Sequence, residues 1–171
     1  CCFMWCSHLT SIPARLFDNC VKAKVFSSCF YGCYELTSIP SGLFNNCMGA
    51  TDFSRCFYQC YSLTEIPAGL FDKCTAVTNF SDCFGSCRDL ANINLPTIAK
   101  YYGWNGWSTG NSGTVAFVPL TTPPPMALTF SSTSKIYVPD EAVQAYKGAS
   151  GWSRYAGQIY PRSEYVEPTA A

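Results

Sequence analysis

A 27-residue period constrains this chain more than any other feature. Leu-Thr-Ser-Ile-Pro begins at Leu9 and again at Leu36, and Leu-Thr-Glu-Ile-Pro begins at Leu63. Cysteines keep the same step in three series: Cys2, Cys29, Cys56 and Cys83; Cys6, Cys33, Cys60 and Cys87; and Cys20, Cys47 and Cys74. Only Cys1 stands outside them. Phenylalanines recur in register at Phe3, Phe30, Phe57 and Phe84, at Phe17, Phe44 and Phe71, and at Phe26, Phe53 and Phe80. A unit this short cannot bury an apolar face alone, so its copies must stack and share one core, with aromatic ladders running along the stack.

Each unit divides again. From Cys60 to Cys74 the pattern is C-x-x-L-T-x-I-P-x-x-L-F-x-x-C, and from Cys74 to Cys87 it is C-x-x-V-T-x-F-S-x-C-F-x-x-C. Leu63 then matches Val77, Thr64 matches Thr78, Ile66 matches Phe80, and Phe71 matches Phe84. Half-units of this size predict a short strand followed by one turn of α- or 3₁₀-helix. Pro13, Pro40 and Pro67 end the strand, because proline has no N–H for a ladder.

The period fails after Leu90. The sequence predicts three regions: cysteine-rich repeats over 1–90, about three and a half turns; a capping region over 91–165; and a tail over 166–171. In the capping region Ile93 and Leu95 begin like a further strand. Residues 101–113 form a Gly/Ser-rich aromatic insertion that reads as a loop. Residues 114–118 and 135–138 read as strands, and Pro123 to Pro125 as an extended linker. Pro139 and Asp140 start a helix with Val143 and Tyr146 on one face. Trp152, Tyr155, Ala156 and Ile159 repeat the helical spacing in a second stretch, which assigns Trp152 and Tyr155 to the core of the cap.

Charge narrows the partners. Eleven Lys+Arg balance eleven Asp+Glu, so the basic stripe that nucleic acid or an anionic membrane surface demands is missing. No apolar run reaches the roughly 18 residues of a membrane span, so no direct membrane insertion is expected. The chain opens on Cys1 in the middle of a repeat, which predicts that more polypeptide precedes it.

The run A-V-T-N-F-S-D-C-F-G-S-C-R-D-L at 76–90 and its copies resemble BspA-like surface leucine-rich repeats and the related repeat of mycoplasma-type surface lipoproteins. The stretch K-I-Y-V-P-D-E-A-V-Q-A-Y-K-G-A-S-G-W-S-R-Y-A at 135–156 looks like the segment that closes such arrays. The resemblance implies a leucine-rich-repeat-like solenoid with a C-terminal β/α cap. It also implies display outside bacterial cells, or on the tails and fibres of their phages, and a role in attachment. The cysteine load exceeds the usual pattern of that family.

Twelve cysteines admit buried thiols, disulfides or metal. Thiols that recur at every layer suit a ladder of small buried side chains better than the two separated ligand pairs of a structural zinc site. No metal or other cofactor is therefore expected. Catalysis finds little footing: His8 is the one histidine, and no motif around it arranges a nucleophile with an acid, so no catalytic residue is assigned. Asp18, Asn45 and Asp72 recur beside the phenylalanine ladder and suit turn capping rather than calcium ligation.

The informative excess is aromatic. Tyr31 and Tyr58 share one repeat position and Tyr34 and Tyr61 another, while Tyr101, Tyr102, Trp104 and Trp107 crowd the inserted loop beside Asn105. Flat rings pack against the C–H faces of sugars and amides bond their hydroxyls, so these residues are candidate ligand contacts. The reading preferred for the loop is that it folds back as an apolar lid on the last repeat, with ligand contact as the alternative. Thr10, Ser11, Thr37, Ser38, Thr64 and Glu65 would form polar rows suited to a broad contact. The expectation is a non-enzymatic, surface-displayed recognition or adhesion module for a glycan or cell-surface protein, placed at a cell or virion surface. The alternative is a structural or decoration protein of a phage fibre, virion or extracellular filament, with homo-oligomeric or larger assembly.

Overall fold

The structure is a computed structural model that describes residues 2–98 and 113–167. Its regular secondary structure lies almost entirely in the second half of the chain. Five short strands, β1 (Glu65–Ile66), β2 (Asn92–Asn94), β3 (Val115–Phe117), β4 (Lys135–Val138) and β5 (Ile159–Pro161), make one sheet in the order β1-β2-β3-β4-β5. Every pairing is parallel. One α-helix, α1 (Val143–Gly148), follows a 3₁₀ turn at Asp140–Ala142, and a second 3₁₀ stretch covers Ser153–Gln158.

This corrects the expectation of a leucine-rich-repeat-like solenoid of strands alternating with helical turns. Among the described residues the organised element is a small parallel sheet with one short α-helix, in a cysteine-rich chain, and within 2–98 the only strands are β1 and β2. The remaining 27-residue copies are built from turns, tied by isolated bridges such as Val25 to Asp52 and Asp52 to Asn79. Left-handed backbone supplies the reason. Ser28, Arg55 and Asp82 share one repeat position at φ 52°, 52° and 53°, and Trp5, Gly32, Gln59 and Ser86 share another at 60° to 71°. Two such residues in each copy break any extended or helical run after a few residues. Bonds from N–H groups to carbonyls three residues back, as in Cys20 to Phe17 and Cys47 to Phe44 at 2.9 Å, close the corners between them.

Successive copies nevertheless lie in register. The Thr37 N–H and hydroxyl both donate to the Thr10 carbonyl at 3.2 Å, and the Thr51 and Thr78 hydroxyls reach back one copy in the same way. Phe30 stacks on Phe57 and Phe57 on Phe84, with centroids 5.2 and 5.3 Å apart and rings within 5° of parallel. Phe17, Phe44 and Phe71 form a second ladder at 5.7 and 5.5 Å. Rings of the Phe26, Phe53 and Phe80 ladder meet it edge-on, Phe71 against Phe80 at 90°. Each fully buried phenylalanine contributes roughly 1.5–3 kcal/mol by leaving water, and each ring pair roughly 0.5–1.5 kcal/mol more.

The sheet continues this core across residue 90. Ile66, Ile93, Ala116, Ile136 and Ile159 are paired in one inward row and are all buried. Under the last strands, Trp152 is fully buried, donating its indole N–H to the Pro124 carbonyl at 2.8 Å and meeting Tyr146 edge-on at 4.8 Å. The Tyr146 hydroxyl donates to the Leu120 carbonyl, and the Phe130 N–H donates to the Tyr155 hydroxyl. Each ring with a polar tip thereby buries its apolar body while its donor or acceptor stays paired.

Candidate functional site

The repeat-position tyrosines form two rows. Tyr31 stacks on Tyr58 at 5.1 Å, and Tyr34 on Tyr61 at 4.9 Å with rings 3° from parallel. Trp5 closes one end of both rows, edge-on to Tyr31 at 4.8 Å and to Tyr34 at 5.9 Å. Arg88 lies over the Tyr61 ring at 4.4 Å at the other end of its row. All four tyrosines are half-buried and Trp5 is 51% exposed. Because the rings stack on one another, their faces are covered and the rows turn edges outward. Sugar stacking on flat faces is therefore not what the inner rings offer; a row of edges suits a broad polar-aromatic contact.

Thr10, Ser11, Thr37, Ser38, Thr64 and Glu65 are all exposed. Their backbone is held from copy to copy, as by the Ala91 N–H on the Thr64 carbonyl at 2.9 Å. Tyr101, Tyr102, Trp104, Asn105 and Trp107 lie outside the described residues.

A second surface had no counterpart in the sequence reading. On the outward side of the sheet, Asn94, Phe117, Tyr137 and Tyr160 share one register row. Phe117 and Tyr137 stack at 5.8 Å, and Tyr165 meets both edge-on. Beside this row opens a cleft of about 350 Å³ whose lining includes Asp72, Asn94, Thr97, Phe117, Tyr137 and Arg162. A more polar cleft of about 300 Å³ adjoins it and shares Asn94, Phe117 and Arg162. The Arg162 guanidinium sits 3.8 Å over the Phe117 ring. Asp72 accepts the Thr97 N–H at 3.1 Å, and Asn94 donates to the Ile66 carbonyl at 3.0 Å. Strand alternation at 92–94 and 115–117 signals an outward row; what assembles the cleft is Asp72 and Arg162, ninety residues apart in sequence.

The cysteines are held as thiols throughout the described residues. Those of Cys33, Cys60 and Cys87 donate to the carbonyls of Phe3, Phe30 and Phe57, each thirty residues earlier, at 3.2, 3.3 and 3.2 Å. Burial pushes the thiols of Cys29, Cys33 and Cys47 up to about 11, and those of Cys74 and Cys87 up to about 12. Cys56, Cys60 and Cys83 rise further for the same reason. Among the described residues no group of three His, Cys, Asp or Glu side chains could hold a metal ion, and no helix is long and apolar enough to cross a membrane. His8 and Glu35 pair at 2.9 Å with both side chains largely exposed.

Against protein-family models the chain finds no match, and no curated protein is significantly similar to it, so the resemblance to BspA-like repeats rests on the residues quoted for it alone.

Proposed function

We propose that this chain is a non-enzymatic recognition module of a cell or virion surface that attaches to a protein or glycan surface through its repeat face. The ordered pair of tyrosine rows, Tyr31 with Tyr58 and Tyr34 with Tyr61, carries this reading. Stacking has already immobilised these rings, so binding costs little of the side-chain entropy that usually weakens a contact. Tyrosine edges combine apolar area with a hydroxyl, the composition that dominates interface hot spots. The buried thiols of Cys29, Cys33 and Cys87 tolerate an oxidising exterior, because burial keeps their nucleophilic thiolate scarce and slows disulfide formation; Cys2 and Cys6 are exposed and lack that protection.

A face only a few copies long gives modest affinity, and display in many copies supplies the rest through effective concentration. Pre-clustered protein is expected to bind a subset of intact bacterial or epithelial cells or of a glycan panel. Tyr34→Ser with Tyr61→Ser is expected to reduce that binding at least tenfold while cooperative urea unfolding is retained. Silence on every surface, together with fibre or oligomer formation in light scattering, would replace this reading with that of a structural assembly protein. Trp104→Ala with Trp107→Ala tests the contribution of the aromatic insertion separately.

A further inference from the structure

We infer that the cleft on the outward side of the sheet is a binding site for a neutral pyranose sugar, separate from the tyrosine rows. The volume, about 350 Å³ with a further 300 Å³ adjoining, holds one or two sugar rings and falls at the small end of ligand sites. A pyranose is amphipathic: one face gathers C–H groups while hydroxyls project around its edge. The cleft has the same division. Leu95, Val118 and Tyr137, all buried but for a small exposed part, and the uncovered edge of Phe117 supply an apolar wall, and Asp72, Asn94 and Arg162 stand at its polar side.

These polar groups complement vicinal hydroxyls. A carboxylate accepts from two neighbouring hydroxyls, and a guanidinium donates to two through its planar fork. Both are already positioned. The Thr97 N–H holds one oxygen of Asp72, and the Arg162 guanidinium rests 3.8 Å over the Phe117 ring. Because Arg162 lines both clefts, it would lie between two adjacent rings of a disaccharide.

Charge selects neutral over acidic sugars. Among the described residues Asp72, Glu65 and Glu167 line the two clefts against one cation, Arg162, so a uronic or sialic acid carboxylate would meet net negative charge from them. A single sugar in so open a site is expected to bind with a Kd on the order of 1 mM.

Saturation-transfer NMR tests this with the methyl glycosides of glucose, galactose, mannose and N-acetylglucosamine, and with glucuronic acid as the acidic counterpart. At least one neutral glycoside is expected to receive saturation from aromatic protons at low-millimolar concentration, with glucuronic acid receiving less. Arg162→Ala and Asp72→Asn are each expected to weaken that binding about tenfold. Arg162→Lys, which keeps the charge and removes the fork, is expected to weaken it as well. No transfer to any neutral glycoside, preference for glucuronic acid, or unchanged binding in both Arg162 variants would overturn the site. Cell binding that survives Arg162→Ala but fails in the Tyr34/Tyr61 double variant would leave the tyrosine rows standing on their own.

Discussion

The Cys60 thiol donates to the Phe30 carbonyl at 3.3 Å, joining residues thirty positions apart through fully buried atoms. Cys33 and Cys87 make the same bond one copy earlier and one copy later. The thiol series therefore gives each of these carbonyls a second donor: the Phe30 carbonyl already accepts the Cys33 N–H at 3.2 Å within its own corner, and the Cys60 thiol adds a bond from the next copy. Cys60→Ala removes the donor and opens a small void. The expected cost is about 1–2 kcal/mol of unfolding free energy, read from urea denaturation. A loss below about 0.3 kcal/mol would contradict this role.

Phe57 is an inner ring of its four-ring ladder, with a near-parallel neighbour on each side. Phe57→Ala is expected to cost about 3–5 kcal/mol, and Phe57→Leu clearly less, because leucine refills most of the space. Thermal denaturation of the two variants checks the order.

Ser86 holds a left-handed backbone at φ 60° at a position where another copy carries Gly32 at 71°. Ser86→Gly is expected to stabilise the protein by about 0.5–1 kcal/mol, since glycine takes this conformation without steric cost. Gly32→Ala should do the reverse and more, because the left-handed backbone there disfavours a Cβ and the added Cβ would run into the Trp5 ring. Their opposite shifts in melting temperature are the measurement.

Alkali should unfold this protein early. The thiols of Cys29, Cys33 and Cys47 ionise near 11 when folded, against about 9 when exposed, because burial disfavours the thiolate. A folded pKa raised above the unfolded one gives stability that is complete below about pH 9 and is lost as pH climbs through 11. Each such thiol steepens the loss by roughly 1.4 kcal/mol per pH unit inside that window. Urea midpoints between pH 8 and 10.5 are expected to fall steadily above 9. A flat profile would show that the thiols are not buried as described.

The sequence made some of this legible and hid the rest for physical reasons. The ladders Phe30–Phe57–Phe84 and Phe17–Phe44–Phe71 follow from a fixed repeat, because equivalent positions in stacked copies must meet. The strand at Lys135–Val138 and the burial of Trp152 and Tyr155 follow from alternation and helical spacing. Backbone conformation was not legible: no residue type marks the left-handed positions, where Ser28, Arg55 and Asp82 serve in turn. Strands and helical turns were therefore expected where the chain makes corners. Nor does a repeat show whether its tyrosines offer faces or edges, since that depends on stacking between copies. The outward cleft stayed hidden because Asp72 belongs to the last full repeat and Arg162 follows β5, and only folding joins them.

Binding of pre-clustered protein to intact cells and glycans, compared between the native chain and the Tyr34→Ser, Tyr61→Ser variant, shows whether the tyrosine rows carry attachment. Selective binding that drops at least tenfold in the variant, with the fold retained, is the expected result. Equal binding by both proteins would contradict it.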